Sequence, residues 1–221
     1  MNSYCEKNVV LIDNSKLNEN SMFILETYRE HYKDTHSALL RRPDYLRWSY
    51  ILDKIKDNVS ILDIGVGAGQ FVNMLALSNK PLTSISGLDI RPHSGFIQMF
   101  DHIQMHYHSV VNMEFPDNHF DVVTCLEVLE HLDDKNMAIA ISELRRVAKK
   151  NLIITVPYNE ATPLPKHHLQ SFSYSRLNKL FPKAEFTFFC IKDNMSWVLI
   201  EENFNQKPDT VITKIKRKFK K

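Results

Sequence analysis

The sequence predicts an α/β fold: a mainly parallel sheet of seven strands, helices on both faces, and an antiparallel hairpin at its end. Three observations lead there. From Val59 onward short apolar runs alternate with helical segments, the pattern of strands buried on both faces. A glycine-rich turn, Gly65-Val66-Gly67-Ala68-Gly69, follows the first of those runs and opens a helix. The last two runs are separated only by Lys192-Asp193-Asn194-Met195, too little chain for a crossover helix, so those strands must pair antiparallel.

From the start of the chain, residues 17–33 carry Met22, Phe23, Leu25, Tyr28 and Tyr32 at roughly helical spacing. A second helix is predicted over 44–56, opened by Pro43, with Tyr45, Trp48, Ile51, Leu52 and Ile55 on one face. With His36, Arg41 and Arg42 as a polar hinge between them, the two form an N-terminal helical cap over residues 1–57. Strands are predicted at 60–64, 84–89, 103–108, 120–125, 152–156, 185–191 and 196–201. Helices are predicted at 69–78, 94–102, 134–148 and 173–180. This main domain, 58–205, gives way to a basic tail over 206–221.

Composition narrows the class. A hydrophobic fraction of 43% and a charged fraction of 24% are those of a globular domain with an ample core. No apolar stretch approaches the roughly 18 residues that span a bilayer. The first residues hold only a short apolar patch, Val9 to Ile12, and are not expected to act as a leader. Cys5, Cys125 and Cys190 are isolated, and two of them fall in predicted strands, which suits buried thiols in a reducing cytoplasm. No Cys-x-x-Cys pair is present, which argues against a structural zinc site.

The net charge of +2 includes Lys214, Lys216, Arg217, Lys218, Lys220 and Lys221, so the rest of the chain is slightly acidic. The tail reads first as a solvated end and second as a contact for an anionic surface. An acidic body disfavours a general nucleic-acid partner.

Three local patterns carry chemistry. Glycines at 65, 67 and 69 allow backbone conformations closed to other residues and let a ligand approach the main chain. Their spacing is Gly-x-Gly-x-Gly, not the dinucleotide Gly-x-Gly-x-x-Gly. Twenty residues after Gly69, the run Ser84-Ile85-Ser86-Gly87-Leu88 ends in Asp89, a carboxylate placed to accept both hydrogen bonds of a ribose diol. A third segment, from Phe120-Asp121-Val122-Val123 through Glu127-Val128-Leu129-Glu130-His131-Leu132, opens a buried strand into acids and an imidazole.

On this ordered set the chain resembles the class I S-adenosylmethionine-dependent methyltransferases, in particular the ubiquinone and menaquinone methyltransferase group, over about residues 60–201. The resemblance implies a Rossmann-like fold and S-adenosyl-L-methionine as cofactor. It places Asp63, Gly65, Gly67 and Gly69 at the methionine part and Asp89 at the ribose, with Gln70, Phe71 and Ile90 as further cofactor contacts. It extends the cofactor contacts to Ser109, Val110, Leu126 and Glu127. Ser109 stands where the family usually has the aspartate that bonds the adenine amine, and Ala148-Lys149-Lys150-Asn151 replaces the usual Pro-Gly-Gly turn. That second departure looks like bacterial methyltransferases of sugars and secondary metabolites.

A sulfonium methyl is already electrophilic, so the protein must align an acceptor and, for a hydroxyl, remove its proton. His131 is the first candidate base, followed by His168 and His167 on the long proline-studded loop after the fifth strand. Tyr158, Arg41, Arg42 and Trp48 are further candidates to wall the pocket, Trp48 being better suited to the core. The expected acceptor is a small molecule, sugar or secondary metabolite in the cytoplasm. Glu127, Glu130, His131 and a later histidine also resemble the metal-binding set of small-RNA 3′-terminal ribose 2′-O-methyltransferases. The spacing after His168 fits that set poorly, and no metal site is assigned. A non-catalytic cofactor-binding homologue and an NAD-dependent oxidoreductase are the rival classes, the second opposed by the glycine spacing and terminal hairpin.

Overall fold

Eight strands form one sheet in the computed structural model, which describes residues 9–11, 27, 30, 42–191 and 194–204. In chain order they are β1 (Val9–Leu11), β2 (Ser60–Ile64), β3 (Ser84–Asp89), β4 (Ile103–Tyr107), β5 (Phe120–Leu126), β6 (Ala148–Pro157), β7 (Glu185–Ile191) and β8 (Asn194–Asn203). Their spatial order is β1-β7-β8-β6-β5-β2-β3-β4. The chain runs from β2 outward through β3 to β4, then returns to place β5 on the other side of β2. That reversal is a topological switch point, and open sheets bind ligands at the carboxyl ends of the strands beside it. β8 lies antiparallel to both β6 and β7, which makes the predicted hairpin, and β1 forms the edge beyond β7.

The helices are α1 (Arg42–Lys54), α2 (Gln70–Leu77), α3 (Asp134–Val147) and α4 (Tyr174–Leu180) among the described residues. Strand side chains alternate between faces. Ile61, Val122 and Ile153 pack with Tyr45, Ile51, Leu52 and Ile55 of α1 and with Phe71, Val72 and Leu75 of α2. Leu62, Val123, Leu152 and Ile154 pack on the other face with Met137, Ile141 and Leu144 of α3 and Leu177 of α4. α1 therefore shares its core with the sheet rather than forming a separate layer. α3 starts where Asp133 accepts a hydrogen bond from the Asn136 N–H at 2.8 Å, a side-chain N-cap. Cys125 and Cys190 are buried thiols.

Two expectations change. Residues 94–102, predicted as a helix, are not helical. The cause is Asn73 in α2: its Nδ2 donates to the Ile97 carbonyl at 2.6 Å and its Oδ1 accepts from the Met99 N–H at 3.0 Å. The Ile97 N–H donates to the Ala68 carbonyl at 3.3 Å, so the segment's main chain bonds outward to the glycine turn and α2 instead of to itself. The second change is β1, an eighth strand that pairs in parallel with β7, Val9 opposite Phe188 and Leu11 opposite Cys190.

Of the predicted helix over 17–33 only 27 and 30 are described, and both are helical. His36, Arg41, Cys5 and the 206–221 tail lie outside the described residues, as does the side chain of Arg42. No helix among the described residues is long and apolar enough to cross a membrane.

Candidate active site

The turn after β2 is held from both sides. The N–H groups of Gly65 and Val66 donate to the Leu88 carbonyl of β3 at 2.8 and 3.4 Å. Gly65, Gly67 and Gly69 all have positive φ, 76°, 55° and 91°. At Gly65 the requirement is also steric: a Cβ there would lie 2.3 Å from Val128 Cγ2, in the segment after β5. At Gly67 the nearest atom to an added Cβ is the Gly65 carbonyl oxygen at 4.0 Å, so the main chain there faces open space.

Asp89, at the end of β3, closes the turn. Its Oδ2 accepts from the Gly67 N–H at 2.9 Å and its Oδ1 from the Ile90 N–H at 2.7 Å. An ionised carboxylate has about four acceptor positions, so two stay available after those bonds. Beneath the turn Asp63 is buried, and the Thr124 hydroxyl donates to its Oδ1 at 2.7 Å. Burial raises the Asp63 pKa to about 7, the Asp89 charge adding to that and the Thr124 bond opposing it.

These parts border a cavity of about 330 Å³ at the switch point. Its lining includes Gly65, Asp89 and Ile90, then Ser109 and Val110 after β4, and Glu127 and His131 after β5. Asp63, Gly67, Gly69, Gln70, Phe71 and Leu126 do not line it. Gly67 is joined to it through its bond to Asp89, and Phe71 is buried in the core between α1, α2 and the sheet, against which Leu126 also packs. A wider groove of about 800 Å³ between residues 111–116 and α3 offers less chemistry. Its Glu143 and Arg146 are bonded to each other, at 2.6 and 2.7 Å.

The acid–imidazole half is assembled by the loop after β6. The N–H groups of Leu169 and Gln170 donate to the Glu130 carbonyl at 2.7 and 3.2 Å, and Gln170 Nε2 donates to the Leu132 carbonyl at 2.8 Å. This fastens the loop across the 3-10 turn Leu129–His131 and sets the His168 ring 5.0 Å from the His131 ring. One carboxylate oxygen of Glu130 and one ring nitrogen each of His131 and His168 lie within 4.8 Å of one another. Glu130 is 1% exposed, and its Oε2 has no hydrogen-bond partner among the described residues. Burial, reinforced by the Glu127 charge, raises its pKa to about 9. His167 differs from its neighbour: its ring is exposed, its φ is 78°, and its carbonyl accepts from His131 Nδ1 at 2.9 Å.

Several side chains in or around this half escaped the sequence reading. Arg47 of α1 is 3% exposed, lies 4.4 Å from the centroid of the Trp197 ring, and places Nη1 3.0 Å from Glu127 Oε1. That last contact is an ion pair without hydrogen-bond alignment. Glu127 itself has a φ of 58°, a left-handed conformation unusual for a side-chain-bearing residue and common at functional turns. Glu160 was missed as well: its Oε2 lies 2.7 Å from His168 Nδ1. A charged residue among the apolar positions of α1 was the available signal for Arg47; nothing local marked Glu160. Tyr158 packs edge-on against Phe188 at 4.8 Å, and Trp48 packs against the core on the α1 side.

Comparison with known proteins agrees with this architecture. Residues 62–155 match the family described as methyltransferase domain. The chain is 26% identical over 155 residues to the ubiquinone biosynthesis O-methyltransferase of Rickettsia bellii, covering 66% of this chain and 64% of that protein. The enzyme of the same description from Rickettsia prowazekii is 32% identical over 108 residues, covering 45% of this chain and 43% of that protein. The chain thus spans less than two thirds of the length of these curated relatives. Among solved structures, a small RNA methyltransferase superposes with a TM-score of 0.58 at 18% identity, over 73% of this chain and 25% of that one. Magnesium protoporphyrin IX methyltransferase from Synechocystis, with bound SAH, gives a TM-score of 0.55 at 14% identity over 82% of this chain and 94% of that one. These two likenesses speak for the fold. The matched methyltransferase domain contains the glycine turn after β2 and the carboxylate at the end of β3, and over that stretch the chain is similar to S-adenosylmethionine-dependent methyltransferases.

Proposed function

We propose that this protein transfers the methyl group of S-adenosyl-L-methionine to a hydroxyl of a small-molecule acceptor, such as a sugar or secondary metabolite. The observation that carries this reading is the cavity at the switch point, where Gly65, Asp89, Ser109 and Val110 meet Glu127 and His131. Its volume lies within the range of small-molecule sites. The open space at Gly67 and the acceptor capacity left on Asp89 suit an adenosyl ligand. Asp89 would receive the ribose hydroxyls, and Ser109 or the Val110 main chain the adenine. Once bound, the sulfonium supplies an electrophilic methyl group and leaves as a neutral thioether.

The remaining work falls to the acid–imidazole half. A neutral hydroxyl is a poor nucleophile, and His131 or His168 takes its proton as the oxygen–carbon bond forms. Calorimetric titration with S-adenosylmethionine, its demethylated product and NAD tests the cofactor assignment. Binding of the first two and not the third is expected; uptake of neither sulfur compound by folded protein overturns it. Radiolabelled methyl transfer to a panel of hydroxylated acceptors then tests turnover, and binding without transfer across the panel favours a non-catalytic homologue.

A second reading is favoured by one specific observation. Glu130, His131 and His168 bring ligand atoms within 4.8 Å, with Glu127 adjacent in the chain segment and a buried Glu130 oxygen left unbonded. Two imidazoles and carboxylate oxygen suit a divalent cation, which lowers the pKa of a bound hydroxyl. On that reading the acceptor is an RNA 3′-terminal ribose. Methylation of RNA oligonucleotides that stops with chelator and returns with manganese or magnesium supports it; chelator-insensitive transfer to small acceptors removes it.

A further inference from the structure

His131 and His168 present similar rings to the same place, yet they are held by different partners. His131 Nδ1 lies 2.9 Å from the His167 carbonyl oxygen, which can only accept, so that nitrogen must carry the proton. His168 Nδ1 lies 2.7 Å from Glu160 Oε2, and a carboxylate oxygen likewise accepts from it. Both rings therefore carry a proton on Nδ1, and in the neutral imidazole the lone pair then lies on Nε2. A free histidine side chain in water prefers the opposite arrangement. For His131 the main chain imposes the choice, and no side-chain substitution in the loop removes it. For His168 the choice rests on one side chain.

We propose that Glu160 is a positioning residue: its carboxylate fixes the tautomer and ring orientation of His168, so that the neutral ring carries its lone pair on Nε2. The use made of that lone pair rests on the function proposed above, whether it takes a proton or holds a cation; the tautomer itself does not. Glu160 is well placed for this. It and His168 are both largely buried, with side chains 17% and 18% exposed, so water competes weakly for the bond. The loop that carries them is closed independently, by Asn159 N–H to the Phe172 carbonyl at 3.1 Å and by the two bonds to the Glu130 carbonyl. Removing the Glu160 carboxylate therefore leaves the loop's main-chain fastening in place. Carboxylate partners of functional imidazoles act in this way elsewhere, and losing one costs about 10–100-fold in activity or ligand affinity.

The test is nitrogen-15 NMR of the histidine rings, which distinguishes a protonated ring nitrogen from one bearing a lone pair and needs no acceptor. In the full chain near pH 8, His168 is expected to show the proton on Nδ1. Glu160→Gln keeps an acceptor oxygen and should keep that pattern. Glu160→Leu should shift His168 toward the Nε2-protonated form, while His131, held by the main chain, stays unchanged as an internal control. A wild-type His168 protonated on Nε2, or an unchanged pattern in Glu160→Leu, overturns the assignment. If Glu160→Leu also disturbs His131, the loop has shifted, and Glu160→Gln decides alone: loss of the Nδ1 pattern there overturns the proposal. Cofactor affinity by calorimetry is expected to be unchanged in both variants. Failure of the cofactor reading would show as absent binding in wild type, separately from the ring signals. With an acceptor in hand, Glu160→Leu should lower kcat about 10–100-fold at unchanged cofactor KM, and Glu160→Gln should restore most of it.

Discussion

The glycine-turn side of the cavity and its acid–imidazole side satisfy their polar groups in opposite ways. Around the turn, the N–H groups of Gly65, Val66, Gly67 and Ile90 all have acceptors within the protein, from Leu88 and Asp89. Across the cavity, a buried Glu130 oxygen has no hydrogen-bond partner among the described residues, Glu127 sits in a left-handed conformation, and two imidazoles each keep one nitrogen for chemistry. The first side is finished by folding and ready to receive a ligand. The second carries unmet polar demand, which costs stability unless something arrives to meet it. On the function proposed above, the first side holds the cofactor and the second carries the chemistry, and each can be broken separately.

The largest effect is expected on the chemical side. His131→Ala or His168→Ala should lower turnover by roughly 10²–10⁴-fold, the usual loss of a positioned general base. For His168→Ala cofactor affinity should be unchanged, since His168 does not line the cavity. His167→Ala should change turnover little, because its ring is exposed and only its carbonyl is engaged. Steady-state kinetics with calorimetric binding separate these outcomes, and equal losses for all three histidines would mean that loop shape, not proton transfer, is being measured.

On the holding side, Asp89→Ala should weaken cofactor binding on the order of 10²–10³-fold, the worth of two charge-assisted hydrogen bonds. The fold should survive, since Gly67 and Ile90 can turn to water at this half-exposed edge. Unchanged affinity would remove Asp89 from the ribose site and with it the division of labour drawn above.

How far the sequence revealed each side follows from the same contrast. The turn and its carboxylate were legible because they are local: glycines at a fixed spacing and an acid at a strand end bring their own geometry. The predicted and observed starts of β2, β3, β4 and β5 coincide for the same reason, since apolar runs bounded by turns are written in contiguous residues. The misreadings are all non-local. Residues 94–102 look helical until Asn73, more than twenty positions earlier, captures their main chain. β1 exists through pairing with β7, which lies almost the whole chain away. His131 and His168 were named from the sequence, but their meeting depends on a loop fastened to the Glu130 carbonyl, and Glu160 acquires its role only there. Ser109 was read as a substitute for a missing acid, and it does border the cavity.

Asp63 links the two sides to pH. Its folded pKa, about 7, lies above the ordinary 3.8 because burial disfavours the charge. The folded state therefore holds a proton that the unfolded state releases between those values, and this contribution to stability is full below pH 3.8 and lost as pH rises through about 7. Asp63→Asn keeps an oxygen for the Thr124 hydroxyl and has no charge to bury. Measured by urea unfolding, the variant should gain on wild type by roughly 2–3 kcal/mol between pH 5 and pH 7. A difference that stays flat across that range would show that Asp63 is charged in the folded protein throughout.

The smallest effect is expected at Gly67, and it tests whether the turn is shaped for itself or for a ligand. Its φ of 55° is left-handed, which costs a side-chain-bearing residue roughly 1–2 kcal/mol. No atom lies nearer than 4.0 Å to an added Cβ, so Gly67→Ala should lower stability by about that strain alone and leave the fold intact. If the open space exists for the cofactor, the same methyl group should also weaken cofactor binding, by around tenfold beyond any effect on folding. Gly65→Ala gives the contrasting outcome, because its Cβ would meet Val128 Cγ2 at 2.3 Å and disturb the turn even without ligand. Thermal unfolding with and without the demethylated cofactor reads both. A Gly67→Ala protein that binds as well as wild type would mean that the turn is a folding device, with the ligand touching only Gly65 and Asp89.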